Sequence, residues 1–162
     1  MQMVYIGLGS NLSGTMGEPK EQLEQALKAL ENHSQITLVN VSSNYKTKAI
    51  GPGSQPDYIN AAALIKTQLE PLALLDQLQL IEQKHDRDRS IHWGARTLDL
   101  DMLMYGTLTI EMPRLTIPHP RIRDRAFVLA PLLDLDPDLS LPEGQSIAKL
   151  LANCPEQSIF KL

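Results

Sequence analysis

The sequence has a single cysteine, Cys154, in 162 residues. An internal disulfide and a cysteine-built metal cluster are therefore both excluded, and this usage fits a reducing compartment, the cytoplasm. No apolar run approaches the roughly 20 residues that a membrane-spanning helix requires. The opening MQMVYIGLGSN lacks the charged start and cleavage site of a secretory leader. Cationic excess is missing too. Fifteen Lys and Arg face nineteen Asp and Glu for a net charge of −4, whereas a general nucleic-acid binder needs a basic face. There are no repeats, low-complexity tracts or interdomain linkers. With 43% apolar residues, the expectation is one globular domain over residues 1–162 with a full core.

The periodicities order the elements. Residues 3–8 read as a strand ended by Gly7, Gly9 and the turn formers Ser10 and Asn11. Pro19 suits a first helical turn, and Leu23, Ala26, Leu27 and Leu30 follow at helical spacing. Residues 36–46 are β-rich and 49–57 form a Gly/Pro-dense loop. Residues 58–68 read as another strand, and Pro71 opens a second helix with Leu74, Leu75, Leu78 and Ile81 inward. A charged, aperiodic stretch over 84–95 leads into the strand RTLDLDMLMYG (96–106), followed by the loop IPHPRIRDR. Short helices are expected over 126–133 and around Ile147, Leu150 and Leu151. The order β-α-β-β-α-β predicts an α+β, ferredoxin-like antiparallel sheet with two helices on one face and a C-terminal helical extension. That fold leaves the chemistry open.

All seven arginines (Arg87, Arg89, Arg96, Arg114, Arg121, Arg123 and Arg125) lie between 87 and 125, while the lysines are spread along the chain. Solubility does not distinguish arginine from lysine, but gripping phosphate or carboxylate oxygens does. Within the same region Asp99 and Asp101 stand two apart on a strand. They project to one side, their Cα atoms roughly 7 Å apart. A lone D-x-D is ordinarily the wet face of a half-exposed strand. Beside grouped arginines it fits Mg²⁺ with a polyphosphate, since oxygen ligands without nearby histidine or cysteine favour that ion.

Other residues are individually ambiguous. GLGSNLSG fails the dinucleotide and P-loop patterns, so its glycines read as a tight turn. Glu82 lies on the apolar side of the second helix, as an edge residue or an aimed acceptor, with Gln79 one turn before it. His119 is held between two prolines, and Trp93, the only tryptophan, sits among charges where it could stack on a planar ligand or an arginine. Tyr58, Asn60 and Phe127 are bland by themselves.

Taken in order, YIGLGSNL, QPDYINAA, RDRSIHWGARTLDLDMLMYG and RLTIPHPRIRDRAFVLAPL resemble the 6-hydroxymethyl-7,8-dihydropterin pyrophosphokinase family across nearly the whole chain. The resemblance implies transfer of the terminal diphosphate of ATP to the pterin hydroxymethyl group, leaving AMP, in folate biosynthesis. It implies two Mg²⁺ ions on Asp99 and Asp101, with Arg87 and Arg96 joining them as catalytic residues. Arg87, Arg89, Arg96, Arg125 and His119 would contact phosphates, and Gln79, Glu82, Trp93, Met102, Arg114 and Thr116 complete the implied ATP site. Thr47, Lys48, Ile50, Tyr58, Asn60, Trp93, Asp99 and Phe127 would form the pterin pocket.

The implied partners are ATP and the pterin, with neither nucleic acid nor membrane, on a monomer. Any coupling to neighbouring folate enzymes would then be between separate chains. His92 and Ala95 stand where the family often has arginine and proline, Lys48 replaces a common proline, and 84–92 is shorter than in some members. Segments 47–56 and 84–95 are expected to close over ATP and exclude water.

Three rivals have distinct signatures. Another Mg²⁺-dependent phosphotransferase or phosphohydrolase would use the same acidic pair. A ferredoxin-like RNA-binding module would present aromatics on a basic sheet, against the acidic pI. A regulatory small-ligand domain would have no use for grouped arginines beside paired aspartates.

Overall fold

Val4, Ile6 and Leu8 alternate with Tyr5, Gly7 and Gly9, and this two-residue period builds the central strand β1 (Gln2–Ser10). The computed structural model describes residues 1–13, 17–48, 57–85, 97–154 and 159–162. Pro19 opens α1 (Pro19–Glu31), where the Glu21 carboxylate accepts the Glu18 N–H at 3.2 Å and satisfies an otherwise orphaned helix-start donor. Next come β2 (Ile36–Val41), β3 (Tyr45–Thr47) and β4 (Tyr58–Thr67), then α2 (Pro71–Lys84), again with proline at its start. After β5 (Asp99–Tyr105) come a hairpin, β6 (Ile110–Met112) and β7 (Leu115–Ile117), and a single 3-10 turn. Helices α3 (Ala126–Leu135) and α4 (Ile147–Ala152) precede a last strand, β8 (Ile159–Lys161).

The main sheet is antiparallel in the order β5-β1-β4-β3-β8, with β2 also paired to β4. The β-rich stretch read as one unit over 36–46 is two strands along the same edge of β4. β2 faces residues 63–67 and β3 faces 58–60. The polar residues Ser42, Ser43 and Asn44 interrupt them, and the Ser42 hydroxyl accepts the Ala62 N–H at 2.8 Å.

The two faces of the sheet carry separate cores. On one face Val4, Ile6 and Leu8 pack with Leu23, Ala26 and Leu30 of α1 and with Leu74, Leu78 and Ile81 of α2. On the other, Leu103 and Met104 pack with Leu129 and Leu132 of α3 and with Ile147 of α4. The C-terminal extension therefore covers the face opposite α1 and α2. The expected alternation of β5 holds only to Met102. Tyr5 pairs with Met104 and Ile6 with Met102, which leaves Leu103 as a bulge. The extra residue turns Met104 to the α3 side, away from the core face where simple alternation places it.

Candidate functional site

Gly7 and Gly9 do not make the tight turn that the sequence suggests. Both lie inside β1, Gly7 directly across from Asp101 and Gly9 directly across from Asp99. The strand next to the two carboxylates thus presents no side chains on their face. Along that face the β4 partners of Gly7 and Gly9 are Ala62 and Asn60. The result is a floor of small residues in the centre of the sheet with an acidic pair along one side.

A cleft of about 420 Å³ opens over this floor. Its walls are Phe127 and Val128 from the first turn of α3, Arg121, Asp124 and Arg125 from the turn before it, and Lys48 and Tyr58 at the ends of β3 and β4. The bulge brings Leu103 into the lining as well. Among the described lining residues, Lys48, Arg121 and Arg125 balance Asp99, Asp101 and Asp124, so the cleft holds cations and carboxylates together although the chain is acidic. The Arg125 guanidinium lies 5.5 Å from the centre of the Phe127 ring, a cation–π contact that holds an apolar face beside a charge. On the floor, the Asn60 amide donates to the Thr47 hydroxyl at 2.9 Å, with both residues buried. This fixes the amide's orientation, because Nδ2 is the donor and Oδ1 is left toward Gly9.

The cleft brings together Asp99, Asp101, Thr47, Lys48, Tyr58, Asn60, Arg125 and Phe127 from the sequence-based expectation. His119 is held nearby. Its N–H donates to the Leu103 carbonyl at 3.0 Å, and its Nδ1 accepts the Arg121 N–H at 3.2 Å. The neutral ring therefore carries its proton on Nε2. Burial, followed by the positive charge of Arg125, lowers the pKa of His119 below the usual histidine value, while Asp99 acts in the opposite direction.

The remaining members lie elsewhere. Glu82 is buried on α2, and its carboxylate accepts the Leu100 N–H at 2.8 Å, taking a donor on the outer edge of β5. Met102 is buried on the opposite face of β5 from the carboxylates. Arg114 donates to Asp76 at 2.6 Å and to Gln79 at 3.2 Å on the surface of α2. Thr116 borders a separate hollow of about 220 Å³ with Pro118 and Arg123. Ile50, Arg87, Arg89, His92, Trp93, Ala95 and Arg96 lie outside the described residues, as does most of both segments expected to close over ATP.

Sequence reasoning missed Gly7 and Gly9 as floor and Arg121 and Asp124 as wall. The signal for the glycines was their spacing of two in phase with Tyr5, opposite in sense to Val4, Ile6 and Leu8. For Arg121 and Asp124 there was none, because a 3-10 turn has no hydrophobic period to orient it.

Among the described residues no helix is long and apolar enough to cross a membrane. The chain is 48% identical over 162 residues to a 2-amino-4-hydroxy-6-hydroxymethyldihydropteridine pyrophosphokinase of Pseudomonas aeruginosa, covering all of this chain and 98% of that one. It is 49% identical to the protein of the same name from Haemophilus influenzae, covering 99% of that chain. Its fold resembles a solved HPPK-DHPS in complex with substrates at a TM-score of 0.72 and 13% identity, over 93% of this chain. It also resembles a Plasmodium falciparum HPPK-DHPS with pteroate at a TM-score of 0.70 and 15% identity, again over 93% of this chain. This chain spans 43% and 42% of those two longer chains. Residues 5–137 match the family described as 7,8-dihydro-6-hydroxymethylpterin-pyrophosphokinase, and the chain belongs to that family.

Proposed function

We propose that this chain transfers the terminal diphosphate of ATP to 6-hydroxymethyl-7,8-dihydropterin, yielding AMP and the pterin diphosphate in folate biosynthesis. The observation that carries this reading is the side-by-side placement of two chemistries on one face of the sheet. Asp99 and Asp101 stand at one edge of a glycine floor, and the bonded Asn60–Thr47 pair with Phe127 forms a flat, polar-edged pocket at the other. An acceptor bound flat against Phe127 would place a substituent toward the carboxylates, where a polyphosphate needs its countercharge.

The donor set suits Mg²⁺. Two half-buried carboxylates share a face, with no Cβ opposite them, beside a cleft large enough for water and phosphate oxygens to complete an oxygen shell. Asp99 and Asp101 would hold two such ions. Bound Mg²⁺ neutralises polyphosphate charge and acidifies a coordinated hydroxyl.

The chain's own residues supply the rest. Phe127 and Tyr58 offer aromatic surface to the ring, and Asn60, oriented by Thr47, hydrogen-bonds its polar edge. Arg121 and Arg125 face the phosphates, and Arg87, Arg89 and Arg96 join them from the segment outside the described residues. His119 is neutral at pH 7 in the free chain and donates from Nε2. As the hydroxymethyl oxygen bonds to the β-phosphorus, the bridging bond from that phosphorus to the α-phosphate breaks and AMP leaves. The hydroxyl proton is released. No strong protein base is needed when positioning and charge stabilisation dominate.

The strand order β5-β1-β4 with β2 and β3 beyond it supports the ferredoxin-like reading of the fold. We take the working unit to be a single-domain cytoplasmic monomer acting on ATP and the pterin, with neither nucleic acid nor membrane. The pocket assignment is tested by equilibrium titration of each substrate onto Asn60→Ala and Phe127→Ala. Pterin affinity should fall by about tenfold or more, the equivalent of one well-placed contact, with ATP affinity held. Unchanged pterin binding in both variants would overturn it.

A further inference from the structure

One carboxylate outside the cleft ties its two walls together. Asp134 lies on α3, about two turns beyond Phe127. Its two oxygens accept the Tyr45 hydroxyl at 2.9 and 3.0 Å, one of them accepts the Ser43 N–H at 3.2 Å, and the Lys161 ammonium approaches at 3.3 Å. It thereby joins the helix that carries Phe127, the short strand that carries Thr47, and the final strand β8.

Tyr45 sits where this junction can reach the floor. In the β3–β4 register it is directly across from Asn60, and it precedes Thr47 by two residues on the same face. Asn60 and Thr47 are themselves bonded at 2.9 Å. β3 is only three residues long, so its own ladder fixes it weakly and the contacts around it decide where Thr47 and Lys48 lie. β8 covers its outer edge, with Lys161 opposite Tyr45 and its ammonium 6.0 Å from the centre of the Tyr45 ring. A hydrogen bond accepted by a carboxylate is charge-assisted and exceeds a neutral one in strength, and only 19% of the Asp134 side chain is exposed.

We propose that Asp134 and Tyr45 are positioning residues for the pterin. They set the separation between the Phe127 wall on α3 and the Thr47–Asn60 floor without touching the substrate. This rests on the assignment of that floor to the pterin, so the experiment includes a variant of the floor itself.

The test is steady-state kinetics of Tyr45→Phe, Asp134→Asn, Asp134→Ala and the Tyr45→Phe/Asp134→Ala double variant, beside Asn60→Ala. Tyr45→Phe keeps the ring and removes only the bond to Asp134. It should raise the pterin KM by about three- to tenfold, the effect of one lost hydrogen bond, while the ATP KM and kcat stay within about twofold. Asp134→Asn, which keeps an acceptor oxygen, should do less than Asp134→Ala, and the double variant should be no worse than Asp134→Ala alone.

An unchanged pterin KM in Tyr45→Phe, or an equal rise for both substrates, would overturn the inference. If Asn60→Ala raises the pterin KM and Tyr45→Phe does not, the positioning role fails while the floor assignment stands. If Asn60→Ala has no effect, the floor assignment fails and takes this inference with it. Should Asp134→Ala not fold, Tyr45→Phe decides the question alone.

Discussion

Gly9 of β1 and Asn60 of β4 are paired across the sheet, and a Cβ at position 9 would lie 2.9 Å from the Asn60 Oδ1. Real Cβ atoms do not tolerate that approach, so any side chain at 9 must displace the amide that the Thr47 hydroxyl holds. Gly9→Ala is therefore expected to weaken pterin binding by about tenfold, comparable to loss of the Asn60 contact. At Gly7 the nearest atoms would be 3.4 Å away on the Leu103 side chain, an ordinary packing distance, and Gly7→Ala should bind the pterin within about threefold of wild type. Titration of the two variants side by side checks the contrast. Equal losses would show that the floor's width matters and the Asn60 contact does not.

Asp99 and Asp101 are expected to serve chemistry and not stability. Two carboxylates on one face of a strand repel each other, so neutralising either should leave the fold intact. Asp99→Asn and Asp101→Asn should each reduce turnover by about two orders of magnitude or more, with the cooperative thermal transition of a folded chain retained. Wild-type turnover in either variant would place the metal elsewhere.

Glu82 of α2 presents the opposite case against the same strand. Its buried carboxylate accepts the Leu100 N–H on the outer edge of β5. Glu82→Leu leaves that donor without its acceptor and should cost about 1–3 kcal/mol, while Glu82→Gln, which keeps a carbonyl oxygen, should cost less. Chemical denaturation of the two variants measures the difference. A Glu82→Leu protein as stable as wild type would show that this bond does not anchor the strand.

Tyr45 gives the fold a signature in alkali. Burial, then the hydrogen bond to Asp134 and its charge, pushes the hydroxyl up to about 12, whereas an unfolded tyrosine titrates near 10. Between those values the unfolded chain binds fewer protons than the folded one, so stability falls as pH rises. The Tyr45 contribution is fully present below pH 10 and lost as pH passes through about 12. The advantage of wild type over Tyr45→Phe in thermal midpoint should be constant at pH 7–9 and shrink from pH 10 upward. Comparison with Tyr45→Phe cancels the other tyrosines and the lysines. A difference independent of pH would contradict the assigned environment.

Where a hydrophobic period ran long enough, the sequence located the element. The stripe Leu23, Ala26, Leu30 and the stripe Leu74, Leu78, Ile81 are the buried faces of α1 and α2. The spacing of Asp99 and Asp101 placed them on one face. What escaped was set by partners distant in the chain. The bulge at Leu103 arises from pairing with β1, and a single extra residue leaves no mark on composition. β3, β6, β7 and β8 are three residues each, too short for alternation to declare itself. Gly7 and Gly9 looked like punctuation because their use as a floor depends on what lies across from them on β4 and β5. Nothing in the sequence marked Asp134, because its three partners are Lys161 of β8, Tyr45 of β3 and Ser43 just before that strand.

The central claim is the transfer itself, and the nucleotide product measures it most directly. The purified chain is supplied with ATP, Mg²⁺ and 6-hydroxymethyl-7,8-dihydropterin, and the phosphorus-containing products are resolved with time. AMP should appear in equal amounts with a diphosphorylated pterin, and neither should form when the pterin is withheld. ADP as the stoichiometric product, or ATP hydrolysis that proceeds without the pterin, would contradict the account.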